Sequence, residues 1–118
     1  PSVILKKNQV LISVSNADLS LFQQKNFNEV LEQANDLSIN LNIVQSSAIS
    51  CSFTIDQNFF SEIFLKKLEK KFKVSYNNNL SLVTIRHYNQ EIVKKVIFEK
   101  KIYLQQKSRN TVSFVLKF

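Results

Sequence analysis

The side chains that could do chemistry in this chain are few and scattered. The single cysteine, Cys51, cannot form an internal disulfide, and the single histidine, His87, cannot build a zinc site of ordinary composition. The nine acidic residues show no spacing that would pair two carboxylates for acid and base catalysis. Cys51 alternates with apolar neighbours and is expected to be a core residue, while His87 follows a predicted strand near a possible pocket. We expect no catalytic residue and no metal site in this segment.

Glycine is absent from all 118 residues. The phosphate-binding loops of Walker A, dinucleotide-binding and kinase type need backbone positions without a Cβ atom. Nucleotide chemistry, and with it a cofactor, is therefore not expected in this segment. The chain has no apolar run long enough to cross a membrane and no charged-then-apolar leader, so a cytoplasmic location without membrane contact is expected. It opens with Pro1 and lacks methionine, which suggests a piece cut from a longer protein.

Charge is distributed unevenly along the chain. Residues 1–65 contain three basic and six acidic side chains, whereas residues 66–118 contain thirteen basic and three acidic ones. A basic half could attract nucleic acid or an acidic partner. The favoured interpretation is that these lysines form the solvent-exposed faces of amphipathic helices.

Apolar and polar residues alternate with period two in Val10–Val14, Ile49–Ile55 and Val112–Phe118, which predicts strands. The mostly apolar run Leu80–Ile85 predicts a more deeply covered strand. Short extended pieces are also predicted at Val3–Leu5, Leu41–Gln45, Lys73–Tyr76 and Ile102–Gln106.

Helical spacing of apolar residues occurs between the predicted strands. It predicts helices within Phe27–Ala34, Phe60–Phe72 and Ile92–Ile97, the first capped by Asn26 with Glu29 and the third started by Asn89. The run Asn77–Asn79 predicts a break, because asparagine tolerates turn conformations. The predicted order is β-β-α-β-β-α-β followed by β-α-β-β.

The two halves of the chain resemble each other. Residues Leu41–Ile55 align with Ile102–Leu116 at an offset of 61, and Leu11–Val14 aligns with Leu82–Ile85 at an offset of 71. Each half has a helix between its first strand and its hairpin, so the pattern predicts two small α+β units with helices on one face of a mixed sheet.

The segment Asn40–Asp56, with Asn42-Ile43-Val44 and Ser46-Ser47 at its centre, resembles the signature region of the tandem ACT domains of aspartokinases. Three further segments are similar to other strands of that family: Lys7–Val14, Leu80–Ile85 and Gln106–Phe114. Together they cover essentially the whole chain in the correct order.

The resemblance implies a fold of two ferredoxin-like ACT units (βαββαβ-type) side by side, with mixed or antiparallel sheets. The first unit would be residues 7–78, and the second would combine residues 1–6 with residues 79–118 and could be incomplete. It further implies the regulatory region of an aspartate kinase whose catalytic domain, using ATP and Mg, lies N-terminal to this segment. ACT regions of two chains would form a homodimer that binds an amino-acid effector, commonly lysine or threonine.

The same resemblance implies an effector site on the turn after the first strand and on the second strand. Carried over by position, its residues are Ser15, Asn16, Asp18, Asn42, Ile43, Val44, Ser46 and Ser47. The lysine-sensitive pattern has acidic residues where this chain has Asn42 and Ala48. A desolvated lysine ammonium would lose both carboxylate partners, so lysine is disfavoured. Threonine or another neutral effector, a relocated site and the absence of any effector all stay open.

Two other functions compete with the regulatory one. Ten phenylalanines could stack on bases in a basic, ferredoxin-like RNA-binding domain, but most lie at core spacing, and the RNP motif needs glycine. An enzyme in its own right would need a cluster of titratable groups that this chain lacks.

Overall fold

A computed structural model describes all residues, 1–118, as three α-helices, six strands and one short 3-10 helix. The strands are β1 (Ser2–Asn16), β2 (Ile43–Ser46), β3 (Ser50–Asp56), β4 (Phe72–Arg86), β5 (Lys101–Lys107) and β6 (Thr111–Lys117). The helices are α1 (Gln24–Asp36), α2 (Glu62–Glu69) and α3 (Gln90–Ile97), and the 3-10 turn is Gln57–Phe59. This α+β composition confirms the predicted fold class.

Two strands are longer than the sequence predicted. β1 and β4 contain 15 residues each, and each unites two segments that were predicted as separate strands. The predicted break at Asn77–Asn79 is wrong, because these residues continue β4. Only Asn79 departs from strand geometry, with φ 58°, and Asn8 in β1 does the same with φ 56°. Asparagine visits the left-handed region at low cost, so the extended chain resumes directly after each of them.

The chain folds into two compact units, residues 10–78 and residues 1–9 with 79–118. In the unit 10–78 the hydrogen-bonded neighbours follow the order β2, β3, β1, β4, with β2 and β3 antiparallel. Helices α1 and α2 cover one face of this sheet. The core between them consists of Val10, Ile12, Val14, Val30, Ala34, Ile39, Cys51, Phe53, Ile55, Phe64, Leu68 and Phe72.

The starts of α1 and α2 show how side chains replace missing backbone partners. The capping pair predicted at Asn26 and Glu29 is wrong, since α1 already begins at Gln24. The Asn26 side chain instead accepts a 2.9 Å hydrogen bond from the Gln23 amide. At α2 the Ser61 hydroxyl accepts from the Phe64 amide at 3.2 Å. Polar residues thereby fix both helices over the core.

The unit of residues 1–9 and 79–118 has the strand order β1, β4, β6, β5. β6 is antiparallel to both β4 and β5. Helix α3 begins where predicted, because the Asn89 side chain accepts a 2.9 Å hydrogen bond from the Ile92 amide. Its apolar residues pack on a core of Val83, Ile85, Val112, Phe114 and Leu116.

The repeat seen in the sequence is confirmed in the hairpins. The amide of Ser47 donates to the carbonyl of Ser50 at 2.8 Å, and the amide of Ser108 donates to the carbonyl of Thr111 at the same distance. These two pairs differ by the predicted offset of 61. The β2–β3 and β5–β6 hairpins therefore close with the same turn.

Equivalent hydroxyl pairs join neighbouring strands in the two units. The Ser13 and Ser52 hydroxyls lie 2.7 Å apart between β1 and β3, and the Thr84 and Ser113 hydroxyls lie 3.0 Å apart between β4 and β6. Both pairs connect positions that the offsets of 71 and 61 bring into correspondence. The duplication therefore extends from the turns to side-chain contacts within each sheet.

Helices α1 and α3 are both followed by a residue in the left-handed region. Ser38 has φ 57°, and behind it the amide of Ile39 donates to the carbonyl of Ala34 at 2.9 Å, which closes a Schellman motif. Glu99 has φ 55° and is the third residue of a turn. The turn is closed by a 3.0 Å hydrogen bond from the Lys100 amide to the carbonyl of Ile97, the last residue of α3. Both positions ordinarily favour glycine, which this chain lacks.

None of the helices is long and apolar enough to cross a membrane.

Candidate effector site

The loop after β1 is held together by one asparagine. Asn16 donates through Nδ2 to the carbonyl of Leu21 at 3.0 Å, and the same atom lies 3.4 Å from Asn26 Oδ1. Because Asn26 also holds the Gln23 amide, the end of β1, the loop and the first turn of α1 form one hydrogen-bonded group. The loop is therefore ordered by side chains of the site itself.

Asp18 lies fully exposed at the tip of this loop. Hydrogen bonds from the side chain and the backbone amide of Ser20 lower the pKa of the Asp18 carboxyl, and the amide bond measures 3.0 Å. Both donors favour the carboxylate form over the neutral acid. Leu19, between them, has φ 58°, an unusual conformation for a branched residue, and its amide donates to the Asn16 carbonyl at 2.9 Å. The loop thus presents a fixed negative charge.

An open pocket of about 700 Å³ lies beside this loop. Its lining residues are Asn16, Ala17, Asp18, Ser20, Leu21, Gln23, Lys25, Asn26 and Lys71. The pocket offers two ammonium groups, one carboxylate and three amide side chains. Such a mixed lining can hold the α-carboxylate and the α-ammonium of a zwitterion at the same time.

Lys71 reaches the pocket from the residue directly before β4. Its Nζ atom lies 3.7 Å from Glu29 Oε2 on α1, and both side chains are partly exposed. An ion pair of this exposure contributes little stability. Since Lys71 also lines the loop pocket, the pair connects the pocket lining to α1.

The second group of expected site residues lies on β2, an edge strand in the strand order. Asn42 precedes β2 and donates through Nδ2 to Asp56 Oδ1 at 2.9 Å. Ile43 is buried, Val44 is half-buried opposite Phe53, and the exposed Ser46 pairs with Cys51. Ser47 forms the hairpin turn, where its hydroxyl lies 2.8 Å from that of Ser50.

The structure brings only part of the expected site together. Asn16 and Asp18 share the loop pocket, whereas Ser15 lines a separate groove of about 140 Å³ with Ser13 and Ser50. The residues from Asn42 to Ser47 line neither the loop pocket nor this groove.

Sequence reasoning missed several residues of the loop pocket, namely Ser20, Gln23, Lys25, Asn26 and Lys71. Polar residues are frequent between Asn16 and Asn26, and this pattern could have indicated Ser20, Gln23, Lys25 and Asn26. Lys71 gave no such signal, since it joins the loop only through the packing of α1 and α2.

The structure places the single cysteine in the core and the single histidine directly after β4. Cys51 is fully buried in the core, as predicted, and burial raises the pKa of its thiol despite an opposing hydrogen bond from Ser46. A thiol in this environment is inert. His87 has φ 55°, and its amide donates to the carbonyl of Asn110. No group of three or more His, Cys, Asp or Glu residues is placed to hold a metal ion.

Among proteins of known structure, this chain resembles aspartate kinases and their regulatory domains. No protein-family model and no curated protein matches the chain. Among solved structures, a protein from Porphyromonas gingivalis W83 described as a C-terminal regulatory domain of aspartate kinase has a TM-score of 0.81 at 17% identity. The match covers 98% of this chain and 85% of that one. The chain has the fold of an aspartokinase regulatory domain.

Two further structures show the same likeness to the aspartokinase regulatory fold. E. coli aspartokinase III, in complex with lysine and aspartate, gives a TM-score of 0.78 at 18% identity, covering 99% of this chain and 29% of the enzyme. The ligand-free regulatory subunit of Thermus thermophilus aspartate kinase gives 0.72 at 15%, covering 99% and 87%. This chain therefore spans less than a third of the E. coli enzyme and most of the regulatory subunit.

Proposed function

We propose that this chain is the amino-acid-sensing and dimerisation region of an aspartate kinase, and that it exerts allosteric feedback control on the first step of the aspartate-family pathway. The observation that carries the proposal is the match along 98% of the chain to a domain described as regulatory. The chain then has no catalytic role of its own. A kinase domain preceding it in the parent protein would bind ATP and Mg, and the parent would be cytoplasmic.

The two ACT units of this proposal are residues 7–78 and residues 1–6 with 79–118. The compact units 10–78 and 1–9 with 79–118 support this division. The equivalent hairpin turns support a common origin of the two units, because an identical backbone bond recurs at the predicted offset. The dimer would form through the ACT units, in which β2 lies at the edge of the strand order.

The effector site of this proposal consists of Ser15, Asn16, Asp18, Asn42, Ile43, Val44, Ser46 and Ser47. Asp18 and the cations of the loop pocket supply opposite charges for the zwitterionic part of an amino acid. Asn42 already donates to Asp56 and, being neutral, gives no ion pair to a lysine ammonium. We therefore propose that a neutral amino acid, such as threonine, is a better effector than lysine.

An RNA-binding function gains no support from the structure. Phe53, Phe72 and Phe114, the strand phenylalanines that could stack on bases, are at most 6% exposed and belong to the cores. Stacking requires ring faces that are open to solvent.

A thermal-shift screen of the twenty amino acids, one at a time, tests the proposal. A ligand that binds only the folded state raises the melting temperature, so at least one neutral amino acid should do so and lysine should do so least. Asp18→Asn should reduce the shift, while Asn40→Ala, an exposed position just before β2, should leave it unchanged. If no amino acid shifts the transition, the sensing function is refuted.

Mass measurement in solution tests the dimer separately. We expect twice the chain mass of 13.7 kDa at micromolar concentration. A monomer over the whole accessible concentration range, with and without the amino acid identified in the screen, would contradict dimerisation through the ACT units.

A further inference from the structure

A second pocket lies in the unit of residues 1–9 and 79–118, apart from the loop pocket. It has a volume of about 400 Å³, within the range of small-molecule sites. Leu5, Leu80 and Phe118 form its apolar walls, and Asn8, Asn79 and Ser81 contribute polar groups. None of these residues belongs to the proposed effector site.

The apolar walls are only partly covered by the protein. Leu5 is 45% exposed and Phe118 is 65% exposed, whereas Leu80 at the base of the pocket is 1% exposed. Apolar area removed from water contributes about 25 cal/mol per Å². A ligand with an apolar body would therefore gain most of its affinity by covering Leu5 and Phe118.

Lys7 carries the only charged side chain in the lining of this pocket. The surrounding unit holds ten basic and two acidic side chains. Neither acid lines the pocket, and one of them, Glu91, lies 3.6 Å from Lys95. The local field therefore favours a negatively charged ligand over a positively charged one.

The polar part of the lining is unusual in its backbone. Asn8 and Asn79 have φ 56° and 58° and occupy equivalent positions of the repeat. A left-handed residue does not fit the regular pleat, so β1 and β4 are both irregular where they line the pocket. Their side-chain amides add hydrogen-bond donors next to Lys7 without adding negative charge.

From these observations we propose that this pocket binds a small monocarboxylate with an apolar body. The carboxylate pairs with the Lys7 ammonium, and the apolar body lies against Leu5, Leu80 and Phe118. This site goes beyond the proposed effector function, because it uses other residues and selects a negatively charged ligand instead of a zwitterion.

Titration of the ¹⁵N-labelled chain with 3-phenylpropionate tests the proposal. The matched probes are 3-phenylpropylamine, with the same apolar body and opposite charge, and neutral 3-phenylpropanol. We expect the carboxylate to bind most tightly and to shift the amide signals of Lys7, Asn8, Asn79 and Ser81. Tighter binding of the amine, or shifts confined to residues 16–26, would overturn the proposal.

Variants separate the ammonium contact from general attraction. Lys7→Ala should weaken 3-phenylpropionate binding about fivefold, as expected for one partly exposed ion pair, and Lys7→Arg should restore it. Phe118→Ala should weaken it about tenfold through lost apolar contact. Lys6→Ala removes a neighbouring charge that does not line the pocket and should have a smaller effect than Lys7→Ala.

Equal losses in Lys6→Ala and Lys7→Ala would show diffuse attraction and overturn the site. Both lysines and Phe118 are exposed, so these variants keep the fold, and unchanged signals of β6 in the same spectra verify this. The proposed effector function is tested by the amino-acid screen and does not depend on this outcome.

Discussion

Replacing Ser38 by glycine should make the protein more stable. Ser38 occupies the residue after the C-cap of α1 with φ 57°, and the Ile39 amide behind it donates to the Ala34 carbonyl. For a residue with a Cβ atom, this left-handed conformation costs about 1–2 kcal/mol. Glycine removes that cost and leaves the Schellman hydrogen bonds in place.

The net gain follows from two opposing terms. Glycine makes the unfolded chain more flexible, which costs about 0.4–1 kcal/mol. We therefore expect Ser38→Gly to raise the free energy of unfolding by about 1 kcal/mol. For a domain of this size that corresponds to a melting temperature higher by about 4 °C.

Chemical denaturation followed by circular dichroism measures this change. Glu32→Gly is the matched control, because Glu32 is exposed in the interior of the same helix, where glycine should lower the stability by about 1 kcal/mol. If both substitutions lower stability equally, the left-handed cost assigned to Ser38 is refuted.

Three other changes should follow the same physical rules. Glu99→Gly, at the equivalent position after α3, should also stabilise the chain by about 1 kcal/mol in thermal unfolding. Asn89→Ala should cost about 1 kcal/mol because α3 loses its N-cap, and Gln90→Ala at the next residue should be close to neutral; equal effects would contradict the cap. The pKa of the Asp18 carboxyl, measured by NMR, should lie below that of an ordinary aspartate, because the hydrogen bonds from Ser20 lower it. Any stability that the carboxylate contributes is present at neutral pH and is lost as the pH falls through that pKa. Ser20→Ala should return the pKa toward the ordinary value.

The sequence was sufficient for the repeat and for most elements of the fold. The offset of 61 anticipated the identical turns at Ser47 and Ser108, because both hairpins have the same alternation of polar and apolar residues. The joining of strand segments into β1 and β4 was not anticipated. Asn79 can take a left-handed conformation within a strand as well as in a turn, and local propensity does not distinguish the two.

The candidate site was only partly accessible from the sequence. The family resemblance implied Asn16 and Asp18 as site residues on the turn after the first strand, and both line the loop pocket. Lys71 lies 45 residues beyond Asn26 and reaches the same pocket only after α2 packs on α1. Such a contact depends on tertiary packing, which periodicity does not specify.

Hydrogen–deuterium exchange with an equimolar mixture of the twenty amino acids tests the central claim most directly, because it reports where a ligand binds without knowing which one it is. We predict slower exchange in residues 16–23 and 42–47 when the mixture is present. Exchange that is unchanged throughout the chain, or slowed only within residues 79–118, would contradict an amino-acid sensor built on the loop after β1 and on β2.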